Sequence, residues 1–227
     1  MARAATGWQA AVVAAAALAL AGCGSAAHRP APKRYAVRAG DTLYSIAFRH
    51  GLDYREVARA NGIGSDYRIH VGQLLNLESR ATPRAAPVPE QPPGTAPAVL
   101  PVTAAPRWQW PANGTSGATV KQPAGGLGLE IEGAGGADVR AAAAGKVVYS
   151  GAGLRGYGTL VILKHDEAWL TAYGYNRDVI VHEGEAVRAG QRIATMGEGP
   201  SHRPALYFEI RLNGRPVDPA GQLPSRR

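Results

Sequence analysis

Cysteine is almost missing. One occurs in 227 residues, so no internal disulfide can form and any fold must rest on packing. Phenylalanine and methionine occur twice each and aromatics reach only 7%, so the apolar 45% leans on alanine and part of the chain is not expected to pack. Acidic residues are outnumbered, 17 against 25 basic ones, which gives a net charge of +8 and suits an anionic partner such as nucleic acid, anionic lipid or anionic cell-wall polymer. Basic patches interleaved with aromatics are absent, so nucleic acid is not an expected partner. A phosphate loop is also absent: Arg155 and Gly156-Tyr157-Gly158 form a glycine-rich turn, but no Lys-Ser/Thr follows it. Long apolar runs are missing too, and Ala10 to Ala21 is too short to cross a bilayer comfortably.

That short run has a use of its own. Arg3 precedes it and Leu20-Ala21-Gly22-Cys23 follows it, which is the grammar of an export signal. The tetrapeptide resembles the lipobox of bacterial lipoproteins. The resemblance implies a signal peptide over 1–22 and acyl chains on Cys23, each buried methylene adding roughly 0.8 kcal/mol of membrane attachment. Gly24 stands where inner-membrane lipoproteins commonly carry aspartate, so the resemblance implies the outer membrane, with the protein facing the periplasm.

Composition then divides the chain. Residues 23–33 are a polar spacer, 34–78 a compact segment, and 79–107 a proline- and alanine-rich linker with polyproline II character. Residues 108–224 are glycine-rich with β-branched runs and form a second domain, and 225–227 read as a tail.

In the first segment Tyr35-Ala36-Val37 alternates like a strand. Gly40-Asp41-Thr42 turns into a helix capped by Asp41 or Thr42, with Leu43, Ile46 and Ala47 on one face. Asp53-Tyr54-Arg55-Glu56 predicts a capping box opening a second helix that buries Val57 and Ala58, and Asn61-Gly62 ends it. Gly72 to Leu77 gives a second strand. This βααβ pattern, with Gly40-Asp41-Thr42-Leu43, Asn61, Ile69 and Gly72-Gln73 in place, resembles a LysM domain. The resemblance implies binding of glycan strands that contain N-acetylglucosamine, with Gly40, Asp41, Thr42 and Leu43 on one wall of a shallow groove and Ile69 and His70 on the other.

In the second domain, Val139 to Ser150, Thr159 to His165, Trp169 to Tyr175, Gln191 to Met196 and Ala205 to Leu212 are rich in β-branched and aromatic residues between glycine turns. They predict a mainly antiparallel, all-β domain. Gly136-x-x-Val139-x-Ala141, Gly156-Tyr157-Gly158-x-x-Val161-x-Leu163-x-His165, Glu183-Gly184 through Met196-Gly197, Leu206-x-Phe208-Glu209-Ile210-Arg211 and Val217-Asp218-Pro219 together resemble the LytM, or lysostaphin-like, zinc endopeptidases. Active members of that family carry His-x-x-x-Asp, Tyr-x-His and His-x-His at the site. Here Gly126 and Glu130 take the first pair, Tyr175 the second histidine, and Ala205 and Tyr207 the last two. Glycine and alanine have no donor atom and a neutral tyrosine is a poor zinc ligand. The resemblance thus implies no catalytic residue, no metal and no cofactor. His165, His182 and His202 are read as structural or surface histidines.

Lipobox, LysM, linker and degenerate LytM domain in this order resemble the NlpD-type amidase-activator lipoproteins. The resemblance implies a non-enzymatic outer-membrane lipoprotein that binds peptidoglycan and activates an N-acetylmuramoyl-L-alanine amidase in cell division and daughter-cell separation. The partner surface expected is the former metal cleft, with Gly126, Glu130, Tyr175, Ala205 and Tyr207 in it and Arg211 pairing with Glu209 or lining its rim. Two other readings remain open at this point: an endopeptidase with unusual ligands, and a structural tether between outer membrane and wall.

Overall fold

A computed structural model describes residues 34–78, 104–122 and 125–225, all within one compact unit, Ala31–Arg227. The signal segment, Cys23, the spacer and linker residues 79–103 lie outside the described residues.

The first domain follows the expected βααβ order. Strand β1 (Arg34–Ala36) pairs antiparallel with β2 (Leu74–Asn76), and the helices α1 (Leu43–His50) and α2 (Tyr54–Ala60) lie between them in sequence. Thr42 is the α1 cap, and it and Ser45 exchange side-chain-to-backbone bonds in a capping box. Gly51 ends α1 in the left-handed region, where glycine carries no β-carbon penalty. Asp53, predicted to open a capping box with Glu56, is the cap of α2. Its carboxylate accepts the Arg55 amide at 2.8 Å and is gripped by the Arg55 guanidinium. Asn61 locks the end of α2 to β2, donating to Val57 and Asn76 carbonyls and accepting the Asn76 amide.

The second domain is a ten-stranded, antiparallel sheet. Its strands are β3 (Thr115–Lys121), β4 (Leu127–Glu132), β5 (Asp138–Arg140), β6 (Gly145–Gly151), β7 (Thr159–Lys164), β8 (Trp169–Val179), β9 (Ala186–Val187), β10 (Arg192–Glu198), β11 (Pro204–Leu212) and β12 (Arg215–Val217). The single run expected over Val139–Ser150 is broken into β5 and β6. Between them the backbone of Ala141 and Ala142 bonds to Gln191, Gly190 and Gln109. Strands β3 and β4 were not foreseen from the pattern.

Alternation along the strands gives the sheet two unlike faces. Leu129, Ile131, Val161, Leu163, Tyr173, Leu206, Phe208 and Ile210 point into one core with Trp108, Trp169, Ile193 and Met196. Leu160, Ile162, Leu170, Ala172 and Tyr207 point the other way. There they join Leu43, Ile46, Phe48, Tyr54 and Val57 of the first domain in a second apolar cluster. Both layers of the molecule are therefore built on one sheet.

Candidate functional site

Strand β11 is the spine of the site. Its register sets Tyr207 opposite Glu130 on β4 and opposite Gly174 on β8, and sets Ala205 opposite Glu132. The Tyr175 ring lies 5.8 Å from the Tyr207 ring. A β-carbon at Gly126 would stand 3.0 Å from the Tyr207 hydroxyl. The structure thus brings Gly126, Glu130, Tyr175 and Tyr207 together, with Ala205 buried two residues up the strand.

The cleft is filled. Tyr207 donates its hydroxyl to Glu209 at 2.7 Å, and Arg211 donates Nε to the other Glu209 oxygen at 2.5 Å. These three alternate residues of β11 form a buried chain, with Arg211 at 1% exposure and Glu209 at 0%. Gly128 makes room for it: a β-carbon there would fall 2.4 Å from the Tyr207 ring. Tyr157, from the glycine turn, packs on Tyr207 at 5.4 Å, and its carbonyl accepts the Tyr175 amide. Tyr175 adopts a positive φ of 62° and its hydroxyl accepts Gln122 at 2.6 Å. Burial, reinforced by the Glu209 charge, pushes the Tyr207 and Tyr157 hydroxyls far above the usual phenol range, so both stay protonated.

These residues do not fit a zinc ion. A side chain at position 126 would begin 2.5 Å from both Glu209 Oε2 and the Tyr157 hydroxyl, so that place has neither donor nor room. Ala205 has no donor, the Tyr207 hydroxyl is committed to Glu209, and Glu130 is left as a single carboxylate. Among the described residues no group of three or more His, Cys, Asp and Glu is placed to hold a metal. His165 is tied to the Ala144 carbonyl at 2.7 Å and to Thr171 at 2.8 Å, while His182 and His202 are exposed in turns.

The first domain closes over this face. Arg211 donates Nη1 to the Phe48 carbonyl at 2.8 Å, and its guanidinium lies 3.5 Å over the Phe48 ring. Phe48 meets Tyr157 edge-on at 5.5 Å. Around this centre runs a polar border. Tyr54 and Tyr67 donate to Glu167, Arg55 to Asn213 and Arg49 to the Gly153 carbonyl. Three buried polar atoms, Arg211 Nη2, the Tyr157 hydroxyl and His50 Nε2, have no protein partner of good geometry. Tyr175 and Tyr207, expected in the cleft as a partner surface, are buried: Tyr207 fully, Tyr175 at 7% exposure. Arg211, expected to pair with Glu209 or line the rim, makes the pair and is not at the rim.

The expected sugar groove is partly structural. The Asp41 carboxylate accepts Tyr35 at 2.7 Å, the Arg38 amide and Arg49, so it is used inside the domain. Thr42 is occupied as the cap and Leu43 is fully buried. Gly40 turns at a φ of 79° with open space around it. A cleft of about 920 Å³ runs along Asp41, Thr42, Tyr44, Ile69 and His70, and its opposite wall is Lys146, Val148, Lys164 and Glu183 of the second domain. Sequence reasoning missed Phe48, the role of Tyr157, and Glu167. A signal for Phe48 existed: it is a large aromatic off the Leu43–Ile46–Ala47 stripe of a short helix, which demands a second burial surface.

Known proteins agree with this organisation. Residues 35–77 match the LysM domain and residues 125–219 match Peptidase family M23. The chain is 42% identical to a lipoprotein NlpD/LppB homolog of Pseudomonas aeruginosa, over 85% of this chain and 77% of that protein. It is 39% identical to the uncharacterized lipoprotein YgeR of Escherichia coli K12, over 84% and 80% respectively. It is 33% identical to the murein hydrolase activator NlpD of the same organism, over 85% and 68%. With these two domains in this order and this similarity over most of its length, the chain belongs to the NlpD family of LysM- and M23-containing lipoproteins.

Proposed function

We propose that this protein is a non-catalytic, peptidoglycan-binding lipoprotein of the outer membrane that activates an N-acetylmuramoyl-L-alanine amidase during cell division and daughter-cell separation. The observation that carries the reading is the Tyr207–Glu209–Arg211 chain. It fills the place where an M23 peptidase would need donors and an open position for water, and Gly126 supplies neither. A cleft without a nucleophile or a metal can still act by contact. The relatives named murein hydrolase activators support carrying that role to this chain. The glycan-binding role rests on the LysM match and the cleft beside Ile69 and His70. Anchoring through Cys23 to the outer membrane rests on the lipobox and on relatives named as lipoproteins or outer membrane antigenic lipoprotein.

The test is reconstitution. The soluble Cys23→Ser chain is mixed with a purified amidase and dye-labelled peptidoglycan. Dye release should exceed that of amidase alone, and the chain alone, supplied with zinc, should release none. Release by the chain alone that a chelator abolishes would return the peptidase reading.

A further inference from the structure

We propose that α1 of the LysM domain occupies, as an internal stand-in, the sheet face carrying Tyr157, Tyr207 and Arg211 on which the hydrolase docks. This rests on the activator reading above, takes the docking face from it and adds its control. The surface fits a segment that offers an aromatic side chain and a backbone carbonyl, because Phe48 offers those two things now. Its ring stacks 3.5 Å under the Arg211 guanidinium and its carbonyl accepts Nη1 at 2.8 Å. That carbonyl lies in the last turn of α1, where it also accepts the Gly51 amide at 3.2 Å and where a cation is favoured.

Three further observations separate this contact from a permanent core. First, α1 is buried on two sides: Leu43, Ile46 and Ala47 serve its own domain, while Phe48 is spent on the neighbour. A helix buried all round in a domain this small needs a second body against it. Second, the contact has the anatomy of an interface: an apolar centre in which Phe48 meets Tyr157 is ringed by a border of hydrogen bonds through Tyr54, Tyr67, Arg55 and Arg49. Third, Arg211 Nη2 and the Tyr157 hydroxyl are buried without a hydrogen bond of good geometry, so this occupant leaves donors that a better-matched segment could use.

The glycan cleft gives the stand-in a release. One wall is the LysM groove and the other is Lys146, Val148, Lys164 and Glu183 of the second domain. A glycan strand seated there presses on the edge of the same seam. Lys146 is exposed and suits the carboxylates of peptide stems on that strand. The surface would then be uncovered only where the protein is on the wall.

The experiment is a reversible lock on the full chain. In the Cys23→Ser background, Arg55→Cys and Asn213→Cys replace a side-chain contact of 2.7 Å across the seam and are joined by a short bis-maleimide carrying a reducible disulfide. Amidase activation is read before and after reduction. The locked chain should activate at least tenfold less than the same chain after reduction. Glu167→Lys, an exposed change that removes the carboxylate acceptor of Tyr67 and one of the two acceptors of Tyr54, should activate several-fold more than the parent at equal concentration. Oligomers of N-acetylglucosamine should raise activation by the parent and not by Glu167→Lys. A locked chain as active as the reduced one overturns the proposal and leaves the activator reading standing. If locked, reduced and Glu167→Lys chains all fail to activate any amidase, the activator reading fails and the proposal falls with it.

Discussion

The two faces of the second domain's sheet use the same strands for different ends. On β11, Leu206, Phe208 and Ile210 face an apolar core closed by Trp108, Trp169 and Met196. The alternate residues Tyr207, Glu209 and Arg211 face the LysM domain and carry a hydroxyl, a carboxylate and a guanidinium, all buried. Burying apolar area gains roughly 25 cal/mol per Å², whereas a buried ion pair roughly breaks even against hydrophobic residues of the same size. The first face makes the fold. On the second, Leu160, Ile162, Leu170 and Ala172 still bury apolar area, but the Tyr207, Glu209 and Arg211 chain contributes little to stability per atom buried, which is what is expected of a group retained for recognition.

Removing Glu209 tests that contrast most sharply. Glu209→Ala leaves Arg211 buried without its anion, and breaking such a pair costs about 3–5 kcal/mol. Phe208→Ala on the opposite face should cost a similar 3–5 kcal/mol through lost packing and a cavity. The two losses differ in how they are repaired. Glu209→Leu with Arg211→Met should return to within about 1 kcal/mol of the parent, as apolar replacements of buried pairs often do, and should lose amidase activation. Urea unfolding at neutral pH measures all three against the parent.

Gly128→Ala probes the filling of the cleft. Its β-carbon would meet the Tyr207 ring at 2.4 Å, so overpacking should cost about 1–3 kcal/mol. The cost should vanish when Tyr207→Ala is made first. If Gly128→Ala costs as much without the ring, strand geometry and not the ring selects glycine there.

A smaller effect comes from pH. Burial holds the imidazole of His165 below its ordinary value, outweighing its bond to the Ala144 carbonyl, and burial followed by the Arg49 charge does the same for His50. The native state therefore keeps both rings neutral where the unfolded chain protonates them. Stability should fall as pH drops through about 6.5, with a limiting slope near 1.4 kcal/mol per pH unit for each ring. His165→Asn should remove the share that belongs to the sheet and leave the share from His50 on α1.

Much of this was legible in the sequence. The βααβ order and strands β6, β7, β8, β10 and β11 follow from local pattern, while the loss of donors at positions 126, 175, 205 and 207 is what the resemblance to the LytM family implies. Strand β4 was missed although Leu127, Leu129 and Ile131 alternate with Gly128, Glu130 and Glu132, and β3 was missed because Thr115, Ser116 and Gly117 open it without an apolar residue. The seam was missed for a different reason. Phe48 and Arg211 meet across 163 positions, and Arg49 and Gly153 across 104, so no window along the chain contains both halves of a contact. What a single window does show is a residue that its own domain cannot bury, and Phe48 was such a residue.

The smallest expected change tests whether the second face is a seam or a core. Glu167 is exposed, yet it accepts Tyr54 and Tyr67 from the LysM domain and is paired with Lys164 from its own. Burial tends to raise its carboxyl, and the Lys164 bond and charge more than offset this and hold it below the ordinary carboxylate value. Hydrogen bonds at an exposed border contribute about 0.5–1 kcal/mol net. Glu167→Ala should therefore shift global unfolding by no more than that. Amide hydrogen exchange should respond differently in the two places. Residues of α1 should exchange faster, because opening the seam exposes them without unfolding the sheet, whereas Phe208 and Ile210 should keep the protection of the parent. Equal loss of protection in α1 and β11 would mean the two layers unfold as one unit, and the LysM domain would then be part of the core rather than its cover.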